Sequence, residues 1–302
     1  MRDQKSVNSQ LPLSHAFLAL AVVAVWGTNF VVIKLSLVGF PPFLFAALRF
    51  TFALFPAIFF LKKPKVSWLN LAIYGMFIGV GQFGVMFFAI NHWIPPGLAS
   101  LVVQTQVFFT IGLAMLFARE KIRLYQVGAL TICVIGLAII AMHTDATTTF
   151  FGLALVVFSG FSWAMGNTVS RAAGSINMLS YVVWASAFAI PPLLMLSYLF
   201  EGGNQLPSVL LSAPMASWVG VFWQAWPNTL FGYVAWAWLL SRHPAALVVP
   251  TALLVPIFGM GSSAFILGES LPSWKLLAAG LVITGLMLNT FWPSFKNQLL
   301  NA

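Results

Sequence analysis

Few side chains in this 302-residue sequence could take part in chemistry, and most of those lie inside long apolar runs. Arg49, in FPPFLFAALRF, is the sharpest. It falls some six residues into its run, roughly 9 Å deep at about 1.5 Å per residue. A charge buried in an apolar run is expensive and normally faces a cavity or a partner. Arg49 therefore fits two roles. One is a counter-charge for a carboxylate, and the other is a structural bond to helix-end carbonyls or to headgroups by snorkelling. No buried acid stands by as a fixed partner.

The other polar candidates are amides and indoles. Trp26 and Asn29 interrupt VVAVWGTNFVVIK, with Gly27 between them. Trp163 and Asn167 in FSWAMGNTVSR are looser counterparts. Gln82 lies in another run. Gln104 and Gln106 are two residues apart, roughly 200° around a helix, so both cannot line one narrow pore. Gln224 and Asn228 are four apart and share a helical face. Amides donate and accept hydrogen bonds, which suits both the ammonium and the carboxylate of an amino acid, but each also fits a packing role between helices. Pro227, Pro250 and Pro256 remove backbone donors inside their runs and are candidates for bends. Glu120 and Glu269 stand at run ends and read as structural.

What is missing narrows the chemistry. His15, His92, His143 and His243 fall at or near run ends, and no HExxH-type spacing occurs. There is no clustered set of nucleophiles, acids or metal ligands, so neither an enzyme nor a bound metal or cofactor is expected. The single cysteine, Cys133, excludes an internal disulfide. With no acid mid-run, a proton relay has no evident carrier. Facilitated efflux or exchange fits at least as well as tight proton coupling.

The elements that position these residues follow from composition. Hydrophobic residues make up 61% of the chain and charged residues only 6%, against roughly 25% charged in soluble domains. Such a chain is an integral membrane protein. Apolar stretches of span length are expected at 13–33, 43–61, 68–90, 97–118, 124–142, 150–170, 177–199, 218–240, 244–267 and 273–292. They must be helical, because backbone groups in lipid must bond internally and the runs lack strand alternation. The first run is of full span length and others follow, which argues against a cleaved leader. The segment 200–217 reads as a loop carrying a short interfacial piece.

The net charge of +9 comes from Lys and Arg scattered between the runs. A nucleic-acid binder needs a clustered basic face, so no such partner is expected. With the N-terminus inside, Arg2, Lys5, Lys62, Lys63, Lys65, Arg119, Lys121, Arg123, Arg171, Arg242 and Lys296 fall inside, against Lys34 and Lys275 outside. That bias supports ten spans and cytoplasmic termini.

A repeat lies beneath the spans. At an offset of 149, PPGLASLVVQTQVFFTIGLAMLFAREKIR from Pro95 aligns with PAALVVPTALLVPIFGMGSSAFILGES from Pro244. Gly112 meets Gly261 and Glu120 meets Glu269. In a chain with five acids, a matched glutamate is informative. An offset of five spans turns an inner end into an outer one. The expected fold is therefore all-α, with ten transmembrane helices in two inverted five-helix repeats. Repeat one covers 13–142 and repeat two 150–292, with tails at 1–12 and 293–302. Inverted repeats are common in carriers that expose a midplane site alternately to each side.

VVAVWGTNFVVIK, FPPFLFAALRF, PPGLASLVVQTQVFFT, AREKIR, FSWAMGNTVSR and ALVVPTALLVPIFGMGSSAFILGES together resemble the EamA-like exporters of the drug/metabolite transporter superfamily. The resemblance covers nearly the whole chain. It implies ten helices in two inverted halves in a bacterial inner membrane, with cytoplasmic termini. It also implies export of small amino-acid-like metabolites such as O-acetylserine or cysteine. The alternative it leaves open is export of other small metabolites or drug-like compounds by the same fold. Beyond cargo and the lipid bilayer no partner is implied, and both a monomer and a homodimer fit.

Overall fold

The protein, seen here as a computed structural model, is described over residues 11–118, 122–174 and 176–301. These residues are helical throughout their long segments, with no strand among them. Ten helices follow in order: α1 (Leu13–Ser36), α2 (Pro42–Leu54), α3 (Trp68–His92), α4 (96–118), α5 (Leu124–Met142), α6 (Phe150–Ala172), α7 (Met178–Phe200), α8 (Met215–Arg242), α9 (245–267) and α10 (Ser273–Asn301). Among the described residues, nine helical segments are long and apolar enough to cross a membrane. The tenth span is α8, which meets a short preceding helical piece, Gly203–Ser212, at a bend of 100°. The protein is an all-α integral membrane protein.

Helix ends follow local chemistry. Ser67, Thr149 and Asn177 accept hydrogen bonds from the first-turn amides of α3, α6 and α7, as N-cap residues do. The helices α2 and α4 instead begin on Pro42 and Pro96, whose missing N–H is harmless in a first turn. First-turn amides of these two helices bond to distant carboxylates. Glu201 accepts from the amides of Phe43 (2.7 Å) and Leu44 (3.0 Å). Glu269 accepts from that of Gly97 (3.0 Å). Burial raises the Glu201 pKa from the ordinary glutamate value, against the pull of its two amide donors. At the other polarity, Lys34 donates to the carbonyls of Ile90 and Asn91 at the C-terminal end of α3.

Two boundaries differ from the sequence expectation. The helix α2 stops at Leu54, short of residue 61, because Pro56 forces Phe55 into an extended conformation. A short 3₁₀ turn, Ala57–Phe59, completes that span. Residues 293–301 are not a separate tail but continue α10, which runs on through Pro293 beyond the end of the apolar run. Pro250 and Pro256 lie inside α9, where the helix changes its winding. Each occupies a first turn, of the 3₁₀ segment Val249–Leu254 and of the α segment Val255–Leu267.

Packing pairs distant helices. The helix α1 lies on α8 and α9, and α6 lies on α3 and α4. The helix α2 pairs with α7, and α5 with α10. Irregular turns are also matched. The helices α3 and α8 both widen into π-helix, at Met76–Gly84 and Gln224–Phe231. The helices α4 and α9 both tighten into 3₁₀, at Val103–Thr105 and Val249–Leu254.

The α1–α9 crossing is close enough to exclude side chains. A Cβ on Gly27 would lie 2.7 Å from the carbonyl oxygen of Val255. A Cβ on Gly259 would meet the Cβ of Ser100 on α4 at 2.5 Å. Such a backbone contact cannot yield by rotamer change. Gly27→Val is expected to destabilise the protein by about 1–3 kcal/mol, the usual range for overpacking. A lower thermal midpoint in detergent and a lower yield of inserted protein would register it.

Candidate functional site

The helix α2 carries Arg49 into the space between the two π segments. The side chain is 1% exposed. Its Nη2 donates to Thr229 Oγ1 at 3.0 Å, and that hydroxyl donates in turn to the carbonyl of Gln224 at 2.8 Å. From the other side the ring of Phe83 on α3 covers the guanidinium, with Cζ 3.3 Å from the ring centroid. Phe50 lies 5.0 Å away. Tyr74 on α3 and Tyr233 on α8 are within electrostatic reach. Nε and Nη1 have no hydrogen-bond partner.

Magnitudes say how well this charge is compensated. A desolvated cation–π contact contributes about 2 kcal/mol, and a hydrogen bond to a charged group about 1.5–3 kcal/mol. Removing the ion from water costs several kcal/mol even after relaxation. Carboxylates normally close that gap, but the ion pair present among the described residues, Lys275–Glu269, lies elsewhere. Arg49 is thus a buried cation with unused donors and no counter-ion among the described residues.

The wide turn of α8 explains why these partners meet. Pro227 lacks an N–H inside the helix, so the local carbonyl ladder cannot run in ordinary register. The Thr229 hydroxyl then serves the Gln224 carbonyl five residues back, and the carbonyl of Asn228 receives Trp26 Nε1 from α1 at 3.1 Å. The Asn228 amide reaches Gln224 Oε1 at 3.5 Å, while Gln224 Nε2 stays unpartnered. Trp26 stacks obliquely on Tyr233 and Trp236, at 6.3 and 5.2 Å between centroids. Gly232 makes room for the indole: a Cβ there would stand 2.5 Å from Trp26 Nε1.

The structure therefore groups Arg49, Trp26, Gln224, Asn228 and Pro227. Asn29, on the same helix as Trp26, is 4% exposed with Oδ1 unpartnered. Gln82, beside Phe83, is 5% exposed with Oε1 unpartnered, and its carbonyl accepts from Ser159 of α6. Trp163 of α6 packs on the cluster formed by Leu71, Tyr74 and Ile78, which Phe83 and Tyr233 also border. Gln104 lies in the 3₁₀ turn of α4, and Gln106 begins the helix beyond it. Asn167 is half-buried near the end of α6. No hydrogen bond joins these last three side chains to the Arg49 group. Pro250 and Pro256 belong to α9, away from the wide turn. Glu269 holds Gly97, Ser263 and Lys275 together, and Glu120 lies outside the described residues.

Sequence reasoning missed Thr229, Phe83, Tyr74 and Tyr233. The two tyrosines carried a usable signal, since a phenol inside an apolar run needs a polar neighbour. Phe83 carried none, being one of 29 phenylalanines.

Replacing the indole donor tests the α1–α8 link. Trp26→Phe removes the bond to the Asn228 carbonyl and keeps the ring, so it should cost about 1 kcal/mol of stability. A thermal midpoint close to that of the wild type, with altered flux, would assign the indole to the working cycle. A large stability loss with unchanged flux would assign it to packing.

Comparisons with known proteins agree in direction. The profile of the EamA-like transporter family matches residues 13–142 and again 150–291. A relative from Salmonella typhimurium named "Probable amino-acid metabolite efflux pump" is 39% identical over 281 residues, covering 91% of this chain and 94% of that protein. Its Escherichia coli namesake is 37% identical over the same shares. A "Probable terminal-alkyne amino-acid exporter" from Streptantibioticus cattleyicolor is 24% identical, over 92% of this chain and 94% of that one. A crystal structure with 16% identity superposes with a TM-score of 0.62 over 92% of this chain and 96% of its own, which concerns the fold alone.

Proposed function

The chain belongs to the EamA-like transporter family, and from that premise we propose that it exports small amino-acid-like metabolites across a bacterial inner membrane by alternating access. Arg49 carries the proposal. It is buried, uncompensated among the described residues, and held between two helices of irregular register. A cargo carboxylate supplies the missing counter-charge and accepts from the donors that Arg49 leaves unpartnered. The names of the two most similar relatives reported above support cargo of this class, with O-acetylserine, cysteine and related neutral amino acids as first candidates.

The moving parts we propose are the two five-helix halves, related by an axis in the membrane plane. The matched pairings support this: α1 on α8 and α9 corresponds to α6 on α3 and α4, while α2–α7 and α5–α10 map onto themselves. The paired π and 3₁₀ segments support it too. In carriers built this way the site lies at the repeat interface and the halves rock around it. The excess of Lys and Arg on one set of loops supports cytoplasmic termini.

Efflux from proteoliposomes preloaded with labelled cysteine, O-acetylserine and a panel of amino acids tests this reading, with a pH gradient on and off. Saturable efflux of a small group is the expected result. Absence of any amino-acid efflux from folded, inserted protein sinks the reading. Dependence on an imposed pH gradient would replace facilitated efflux by proton coupling.

A further inference from the structure

The Arg49 site has surplus donors and, among the described residues, no anionic acceptor. Arg49 Nε, Arg49 Nη1 and Gln224 Nε2 are buried without partners. Three carbonyls of the wide turns already accept side-chain bonds: Gln224 from Thr229, Asn228 from Trp26, and Gln82 from Ser159. The sequence contains five acids, Asp3, Glu120, Asp145, Glu201 and Glu269, and by position none lies within a span. The unpartnered buried acceptors on α1, α3 and α6 include the amide oxygens of Asn29 and Gln82 and the hydroxyl of Ser162, all neutral. A neutral amide takes a hydroxyl or an acyl N–H as readily as an ammonium.

Charge counting gives the same answer. A carboxylate on Arg49 makes a complex of zero net charge. A zwitterionic amino acid on the same guanidinium leaves one positive charge in the membrane core, where net charge is costly. Its ammonium would find aromatic faces at Trp26 and Tyr233, but no carboxylate.

We infer that the site selects cargo by the carboxylate alone, so that small monocarboxylates lacking an ammonium, N-acyl amino acids and 2-hydroxy acids among them, are bound and exported as well as amino acids. This rests on the reading of Arg49 as the carboxylate partner. It goes further in making the ammonium dispensable. The α-substituent need only offer one hydrogen-bond donor, charged or not. Amino-acid amides and esters, cationic and without a carboxylate, are rejected.

The test uses the purified full chain in proteoliposomes. A labelled amino acid that the protein moves is challenged with its N-acetyl derivative, its 2-hydroxy analogue and its amide. The two carboxylates should inhibit at concentrations equal to or below that of the unlabelled amino acid, and each should itself be exported when preloaded. The amide should be weaker by about 100-fold, the scale of losing a buried charge partner. The 2-hydroxy acid should also raise the thermal midpoint of the wild-type protein in detergent, a readout that needs no transport. Arg49→Met should abolish binding of both classes together.

If the amino acid moves but neither carboxylate competes, the inference fails while the amino-acid reading stands. Equal competition by the amide overturns the inference as well. If no carboxylate of either class moves or stabilises the folded protein, both fall. An Arg49→Met variant that still binds the 2-hydroxy acid would overturn the inference by itself.

Discussion

Arg49→Met should abolish saturable efflux while leaving the protein as stable as the wild type, or more so. The two halves of that result have one cause. In the fold Arg49 is desolvated, bonded once to Thr229 and covered by Phe83, with no acid beside it among the described residues. Replacing poorly compensated buried charge by an apolar side chain of similar volume is often neutral or stabilising by about 1–4 kcal/mol. Truncating one partner of a buried charge pair in a complex costs about 2–5 kcal/mol of binding. Flux at subsaturating cargo should therefore fall by roughly 30-fold to several thousandfold at about 1.4 kcal/mol per decade. Thermal melts in detergent, run beside efflux, read both quantities. A structural Arg49 would lose stability and flux together, and that outcome would remove it from the site. Arg49→Lys should recover part of the flux, since an ammonium restores charge but not the fork of donors.

Glu269→Ala should be the most damaging substitution outside the site. One carboxylate holds three elements. Oε2 accepts from the Gly97 amide at 3.0 Å and from Ser263 Oγ at 2.6 Å, and Oε1 from Lys275 Nζ at 3.1 Å. Both ends of the ion pair are buried, at 7% and 9% side-chain exposure. Breaking such a pair strands the other charge, which costs about 3–5 kcal/mol. The first turn of α4 loses its acceptor at the same time. Lys275→Met added to Glu269→Ala should recover much of the loss, and Lys275→Met alone should cost less than Glu269→Ala. A double-mutant cycle of thermal stability measures the coupling. Additive effects would mean that the pair contributes nothing beyond its separate contacts.

The spans were legible because a single property, transfer of apolar side chains into lipid, dominates them. Their ends were less so. Pro56 shortens α2 through the residue before it, a local effect that hydropathy does not register. The continuation of α10 past residue 292 shows the converse, a helix that runs on through Pro293 after the apolar run has ended. Arg49 stood out from composition alone, as a lone charge inside an apolar run. Its surroundings did not. Thr229 lies 180 residues away in sequence, and it faces Arg49 from a turn whose register departs from 3.6 residues. Helical periodicity paired Gln224 with Asn228, and those side chains do touch, at 3.5 Å. It could not pair Gln224 with Thr229, since five-residue spacing is a π relation. Phe83 was invisible for another reason, because its ring is informative only once a cation lies over it.

The distant caps on α2 and α4 also bear on how the protein is made. Both helices precede residue 119, yet their first-turn amides wait for Glu201 and Glu269. A chain synthesised from its N-terminus therefore places two early helices in the bilayer long before the groups that complete them have left the ribosome. Until then those amides must be served by water or headgroups, which keeps these ends near the membrane surface. Cutting the chain in the loop between α5 and α6 would make that wait permanent. The first piece alone would hold helices with open ends, and only synthesis of the second piece in the same membrane would close them.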